Sequence, residues 1–201
     1  MALGSSTVRV YCQTEIDMKF TSFNLIGPLL IEPTRIGDAR GWFSETFRAD
    51  RFQEHAGPVT FVQHNQSMSA AKGTVRGLHF QLEPMAQGKL VRCLKGAILD
   101  VAVDIRLNSP TFGQHVAAEL TADNGHQFWI PPGFAHGFAT LVEDTEVFYL
   151  VTSYYSPAHD RGLLWNDPAL GIDWRIEEGA AQLSDKDRKQ PLLADLQDLF
   201  D

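Results

Sequence analysis

The sequence predicts an all-β protein, an antiparallel β-barrel or jelly-roll sandwich with short peripheral helices. Three observations carry this. From Phe61 onward the chain breaks into short strand-like runs bounded by Gly, Pro, Asn and Asp. Helical periodicity is scarce. The runs and turns follow one another at nearly regular spacing, with no solenoid repeat, low-complexity tract or interdomain linker.

The first 17 residues, MALGSSTVRVYCQTEID, lack the basic start and apolar stretch of a secretory signal. Residues 1–17 are therefore expected to be an added extension, and 18–201 one domain. A helix is expected at about Ala49 to His55, closed by Gly57. Leu90 to Leu94 and Ala97 to Arg106, separated by Lys95-Gly96, read as a hairpin. In the second run Leu99, Val101, Val103 and Ile105 alternate with Asp100, Ala102, Asp104 and Arg106. Period-two patterning of this kind describes a strand with one apolar and one polar face, in a half-wet sheet. Further strands are expected at His115 to Leu120, Gln127 to Ile130, Ala135 to Leu141 and Val147 to Ser153. Turn chemistry at Asp123-Asn124-Gly125, Pro131-Pro132-Gly133 and Glu143-Asp144 separates them. A second helix is expected near Leu192 to Leu199, where the apolar spacing fits one face.

Bulk composition narrows the function. The chain has 201 residues, 44% hydrophobic and 21% charged, enough to bury a core without staples. No window approaches the run of about 18 apolar residues that a membrane span needs, so no membrane partner is expected. Two cysteines, Cys12 and Cys93, support neither a disulfide framework nor a thiolate zinc site, and a reducing cytoplasm is the natural compartment. A formal net charge of −8 argues against nucleic acid as a partner, because phosphate binding draws on clustered Lys and Arg. An anionic small ligand would need a locally basic pocket.

Four segments offer chemistry. Arg76 to Gln81 with Gly88-Lys89 combines a base, His79, with cations, and an imidazole titrating near neutrality suits proton abstraction. Read alone, a strand histidine is more often a surface or core residue. Pro131 to Phe138 places His136 beside Gly137; a buried histidine bonded to a carboxylate such as Asp100 is as good a reading as substrate contact. Val147 to Pro157 is rich in aromatics, and periodicity does not decide whether Tyr149 packs or delivers a proton, or whether Tyr155 stacks on a flat ring. Leu183 to Asp187 reads as a solvated turn or a helix start capped by Ser184, or as an Asp folded back to orient a histidine. A metal centre would have to be assembled from His79, Glu83 and His136, an incomplete set because Gln81 stands where a second His would help.

Read together, these segments resemble the dTDP-4-dehydrorhamnose 3,5-epimerases, deoxysugar epimerases of the cupin superfamily. The resemblance runs from about Met18 to Pro191. It includes Gly37 to Phe43 with Glu45, Phe61 to Asn65, Arg76 to Gln81, Gly88 to Cys93, Ser109 to Gly113, Tyr154 to Pro157, Trp165 to Asp167 and Leu183 to Asp187. It implies a cupin-like barrel and a base, His79, oriented by Asp187, with Tyr149 as the acid on the opposite face of the sugar. It further implies Lys89 at the enolate oxygen or nearby phosphate, Arg40 and Arg76 on the pyrophosphate, and Tyr155 on the thymine. Glu45, Gln63, Asn65, His136, Asp160 and Lys186 would complete the contacts to a dTDP-sugar. No cofactor and no metal are implied. A homodimer is, with strands near the N-terminus pairing across subunits. His64 stands where the family commonly has Asp, and Asp160 where it commonly has Glu. Three rivals share much of this pattern: a relative that inverts only carbon 3 or carbon 5, a silent sugar-nucleotide-binding cupin, and a metal-dependent cupin enzyme.

Overall fold

Two antiparallel sheets enclose the interior in the computed structural model, which describes residues 18–177, 179–197, 199 and 200. The expectation for residues 1–17 lies outside the described residues. In chain order the elements are β1 (Met18–Ser22), β2 (Leu29–Pro33), β3 (Ile36–Asp38), β4 (Gly41–Phe43), α1 (Ala49–Ala56), β5 (Gln63–Ser69) and β6 (Val75–Gln81). There follow β7 (Lys89–Lys95), β8 (Ala97–Asp104), β9 (His115–Thr121), β10 (Gln127–Ile130), β11 (Phe134–Thr140), β12 (Thr145–Val151) and β13 (Asp160–Gly162). One sheet runs β1-β2-β10-β7-β12-β5 and the other β13-β6-β11-β8-β9, while β3 and β4 form a separate hairpin. The all-β barrel with little helix is as the sequence indicates. Among the described residues no helix is long and apolar enough to cross a membrane.

Several elements differ from the sequence reading for physical reasons. β7 and β8 are not a hairpin: β7 pairs with β10 and β12, whereas β8 pairs with β11 and β9. One residue, Gly96, carries the chain between sheets at φ +79°, a conformation open to glycine, and a Cβ there would lie 2.5 Å from Thr145 Oγ1. β8 is not half-wet. Both its faces are buried, and the polar face carrying Asp100 and Asp104 points into the barrel. Its apolar face, Leu99, Val101 and Val103, points outward and packs under the C-terminal segment with Leu163, Leu170 and Trp174. Fully burying such a side chain contributes about 1.5–3 kcal/mol, so the outward layer is a second core.

That cover also explains the missing second helix. Of the span from Leu192 to Leu199, only Leu193–Asp195 forms a single 3-10 turn, with residue 198 outside the described residues. Leu193, Leu196, Leu199 and Phe200 instead spread over the sheet's outer face, and Phe200 bridges to Arg106. Asp167 fixes the tail by accepting from the Leu193 amide at 2.7 Å. β1 and β2, to which sequence periodicity gave no signal, extend the first sheet. α1 is as expected, with Gly57 donating to the Gln53 carbonyl at 3.1 Å, and its Phe52 seals the outer face against Trp129.

At the barrel end away from the cavity, Asp104 is fully buried and accepts from Arg106 Nη2 (2.7 Å), the Ser109 hydroxyl (2.6 Å) and the Thr111 hydroxyl (2.6 Å). Burial opposes its ionisation, but these bonds outweigh it and hold the carboxyl down to about 2. A depressed carboxyl stabilises the fold above its ordinary pKa and stops doing so as pH falls through the folded value. In urea unfolding the penalty of Asp104→Asn should therefore be full at pH 6 and shrink as pH falls from about 4 toward 2; an equal penalty throughout would contradict this. A second expectation concerns Gly137, where a Cβ would lie 2.8 Å from the Arg76 carbonyl oxygen. Gly137→Ala should lower unfolding free energy by about 1–3 kcal/mol, and an unchanged denaturation midpoint would show that the strands can move apart freely.

Candidate active site

β6 and β11 approach so closely that His79 and His136 become cross-strand partners. Gly77 makes this possible, since a Cβ on it would lie 2.6 Å from the Gly137 Cα. Both histidines line a cavity of about 490 Å³ at the open end of the barrel. Its size is that of a pocket for a small ligand. The floor and walls are polar where the opposite end of the interior is apolar: Val91, Phe128, Ile130 and Phe134 fill that end.

Opposite walls come from opposite sheets. On the β6 side, His79 Nε2 lies 2.5 Å from Asp187 Oδ1. Asp187 is delivered by the C-terminal segment and held by Ser184, whose hydroxyl donates to Asp187 Oδ2 (2.9 Å) and accepts from the Asp187 amide (3.1 Å). Asp187 opens a 3-10 turn, Asp187–Lys189, whose N-cap position is Lys186; Ser184 ties that start in place, and the carboxylate folds back onto the histidine. Burial works against the charge of Asp187, and the bonds from His79 and Ser184 overcome it, leaving the carboxyl below its ordinary range. An ionised carboxylate in this position fixes the ring orientation and stabilises an imidazolium.

Facing it on β12 is Tyr149, turned inward with Val147 while Phe148 and Leu150 turn out. Burial pushes its phenol up, against the opposing pull of Arg76, so the hydroxyl keeps its proton. Lys89 enters from β7 with Nζ 3.3 Å from the His79 carbonyl oxygen. Desolvation lowers it to about 8, while Asp100 and Asp160 favour its charge and Lys186 opposes it. β5 supplies Gln63, Asn65 and Ser67 from alternate positions, with His64, Gln66 and Met68 facing out. His64 therefore misses the cavity, its ring tilted against Phe148 on the outer surface.

At the mouth, Tyr155 donates its hydroxyl to Asp160 Oδ2 (3.1 Å), and Lys186 pairs with the same carboxylate. The loop bearing Tyr155 is set by Gln81, a buried side chain that sequence reasoning weighed only as a missing metal ligand. Its amide donates to the carbonyls of Met85 (2.6 Å) and Tyr154 (3.1 Å) and accepts from the Ser156 amide (2.7 Å). Ser67 and Gln87 also line the cavity. The period-two alternation of Gln63 and Asn65 was the signal that could have found Ser67.

Arg76 joins the rim, its guanidinium donating to Ser69 Oγ (3.2 Å). Two expected residues do not come to this cavity. Arg40 sits on the β3–β4 hairpin with its side chain 90% exposed and paired with Asp38, lining a separate hollow with Trp42 and Phe43. Glu45 follows the same projecting hairpin and is not part of the cavity wall. The hairpin pairs only with itself among the described strands. The set His79, Glu83 and His136 is not assembled either: among the described residues no group of three or more His, Cys, Asp or Glu side chains is placed to hold a metal ion.

A base with an orienting carboxylate, a protonated phenol on the facing wall and a cation between them can move a proton on and off carbon next to a carbonyl. Residues 22–195 match the family model described as dTDP-4-dehydrorhamnose 3,5-epimerase. A curated relative of that name from Sinorhizobium fredii is 55% identical over 184 residues, covering 91% of this chain and 94% of the relative. A crystal structure of an epimerase from Legionella pneumophila in complex with dTDP-4-keto-L-rhamnose superposes with TM-score 0.85 at 46% identity, over 90% of this chain and 95% of that one. A 3'-monoepimerase from Streptomyces bikiniensis in complex with dTDP-quinovose superposes with TM-score 0.78 at 35% identity, covering 86% of each chain.

The desolvated ammonium at Lys89 gives a direct expectation. In protein carrying ¹³C-lysine, NMR titration should find one lysine, absent from Lys89→Met, that loses its charge at about 8. If every lysine titrates near 10.4, the ordinary value, Lys89 is not desolvated as described.

Proposed function

The chain belongs to the dTDP-4-dehydrorhamnose 3,5-epimerase family, and from that premise we propose how its residues divide the work. Its activity is isomerisation of the 4-keto sugar of a dTDP-linked 6-deoxyhexose, in dTDP-rhamnose biosynthesis. A ketone at carbon 4 acidifies the hydrogens on carbons 3 and 5. His79, oriented by Asp187, removes such a proton, and the electron pair moves onto the ketone oxygen as an enolate. Lys89 stabilises that charge. Tyr149 returns a proton to the same carbon from the other face, which inverts it. Substrate and product are isomers, so no electrons are gained or lost overall.

One observation carries this reading: the Asp187–His79 pair and the Tyr149 phenol stand on opposite sheets across one cavity, with Lys89 beside them. Arg76 and Lys186 supply the locally basic rim that a diphosphate needs on a chain of net charge −8. Tyr155 stacks on the base, with Gln63, Asn65, His136 and Asp160 completing the contacts. Arg40 and Glu45 meet the nucleotide of a second subunit in a homodimer. Supporting that assembly, the hairpin bearing Arg40 projects with Trp42 and Phe43 each about 60% exposed. The enzyme works in the cytoplasm, a reducing compartment that suits the buried thiol of Cys93.

A second reading, inversion at one carbon only, draws on the likeness to the Streptomyces 3'-monoepimerase. Turnover of dTDP-4-dehydro-6-deoxyglucose in D₂O separates the two. Deuterium should enter at both carbons; label at one carbon alone would establish the monofunctional reading. His79→Ala and Tyr149→Phe should each slow turnover by roughly 10²–10⁴-fold with dTDP affinity little changed. Turnover equal to the parent in either variant would end the proposed division of roles.

A further inference from the structure

Behind His136 the barrel holds a carboxyl that the mechanism above does not use. Asp100 projects inward from β8, is fully buried, and meets His136 Nε2 at 2.7 Å through Oδ1. Its Oδ2 has no hydrogen-bond partner, and it is the one buried side-chain oxygen or nitrogen among the described residues in that condition. Lys89 is near enough to favour a charge on Asp100 but makes no ion pair or hydrogen bond with it, since its ammonium is turned to the His79 carbonyl and the ion pairs of the described residues give Asp100 only His136.

We propose that Asp100 is an un-ionised carboxylic acid that donates its proton to His136 Nε2, so that His136 presents Nδ1–H to the cavity as a second donor for the enolate oxygen. The inference rests on the epimerase reading for the role of that oxygen, but not for the protonation state. A carboxylate oxygen sealed from water without any donor is strongly disfavoured, whereas the carbonyl oxygen of a neutral acid tolerates the same isolation far better. The orphaned Oδ2 thus marks the carbonyl end and Oδ1 the hydroxyl end. A neutral imidazole carries one N–H; if Nε2 accepts from Asp100, the proton resides on Nδ1, on a ring that lines the cavity.

Burial is the largest influence on both members of the pair. It raises Asp100 and lowers His136, each toward its uncharged form, against the pull of each partner's charge and, at Asp100, of Lys89. The titratable groups facing the pair are His79 on β6, Lys89 and Cys93 on β7 and Tyr149 on β12. Of these, Lys89 and His79 both disfavour a positive His136. A neutral donor suits the reaction, because it meets the growing negative charge without adding a third cation beside Lys89 and the imidazolium of His79. Asp100 is then a positioning residue: it sets which ring nitrogen of His136 carries the proton and touches no substrate.

The test uses the full chain at pH 7, labelled with ¹⁵N-histidine and ¹³C-carboxyl aspartate. His136 is assigned by the signals lost in His136→Gln, and Asp100 by the carboxyl signal and carboxylic-acid infrared band lost in Asp100→Asn. The expected result is a protonated Nδ1, a bare Nε2 and an un-ionised Asp100. A protonated Nε2 with bare Nδ1, or an ionised Asp100, overturns the proposal. Should either variant fail to fold, the parent protein decides alone: one aspartate carboxyl must remain un-ionised at pH 7, and its absence is equally fatal. Asp100→Ala should cut the rate of deuterium incorporation by on the order of 10²-fold while leaving the dTDP dissociation constant within about 3-fold; equal losses in both would reduce Asp100 to a structural role. Parent protein that incorporates no deuterium overturns the epimerase reading, whereas a normal parent rate with the reverse tautomer overturns this inference alone.

Discussion

The meeting of Gly77 with Gly137 is the constraint from which the site follows. Two strands that lack side chains at the same crossing can approach until each backbone touches the other, and the residues flanking the crossing are then fixed in register. His79 and His136 become opposite numbers as a result, one served by Asp187 and the other by Asp100. Move the strands apart and the two histidine–carboxylate pairs no longer share one wall of the cavity. The pairing irregularity between His136 and Phe138 falls at the same place, where the ladder bends to accommodate the contact.

Much of this was legible in the sequence, and the gaps have physical causes. β10 matches its expected bounds residue for residue, because Gln127 to Ile130 is enclosed by the Asn124-Gly125 turn and the Pro131-Pro132-Gly133 turn. β5 reads in the structure as strict alternation, Gln63, Asn65 and Ser67 inward. For β8, period two showed that the faces differ but not which faces in. Without knowledge of the cover, the apolar side is naturally assigned to the core, and here it is the outer one. Gly96 looked like a hairpin turn for a related reason: a glycine between two strands serves equally to reverse a chain within one sheet or to carry it to the next.

The site divides in the same way. Residue types at His79, Tyr149 and Lys89 carried the expectation of proton transfer; an Asp folded back onto a histidine was one open reading of Leu183 to Asp187, and the family resemblance paired Asp187 with His79 across a separation of 108 positions that spacing alone does not bridge. Arg40 and Glu45 show the limit of a residue-by-residue transfer, because a position can match in sequence while a single folded chain holds it away from the cavity. Gln81 shows the converse. It was visible only as a strand amide, and what it does depends on partners at Met85, Tyr154 and Ser156 that spacing does not reveal. The Asp100–His136 bond, by contrast, was one of two readings the sequence left open, and the fold makes it.

The C-terminal segment does two jobs with one stretch of chain. Its leucines and Trp174 cover the outside of the second sheet, and a few residues from that cover Ser184 and Asp187 reach inward to His79. The segment is held there by side-chain packing, by the Asp167–Leu193 bond and by backbone bonds that join Gln182 to Gly73 and Val75, Leu164 to Pro191 and Leu107 to Phe200. The orientation of His79 is thereby tied to the packing of the second core, so a defect in the outer layer is felt inside the barrel.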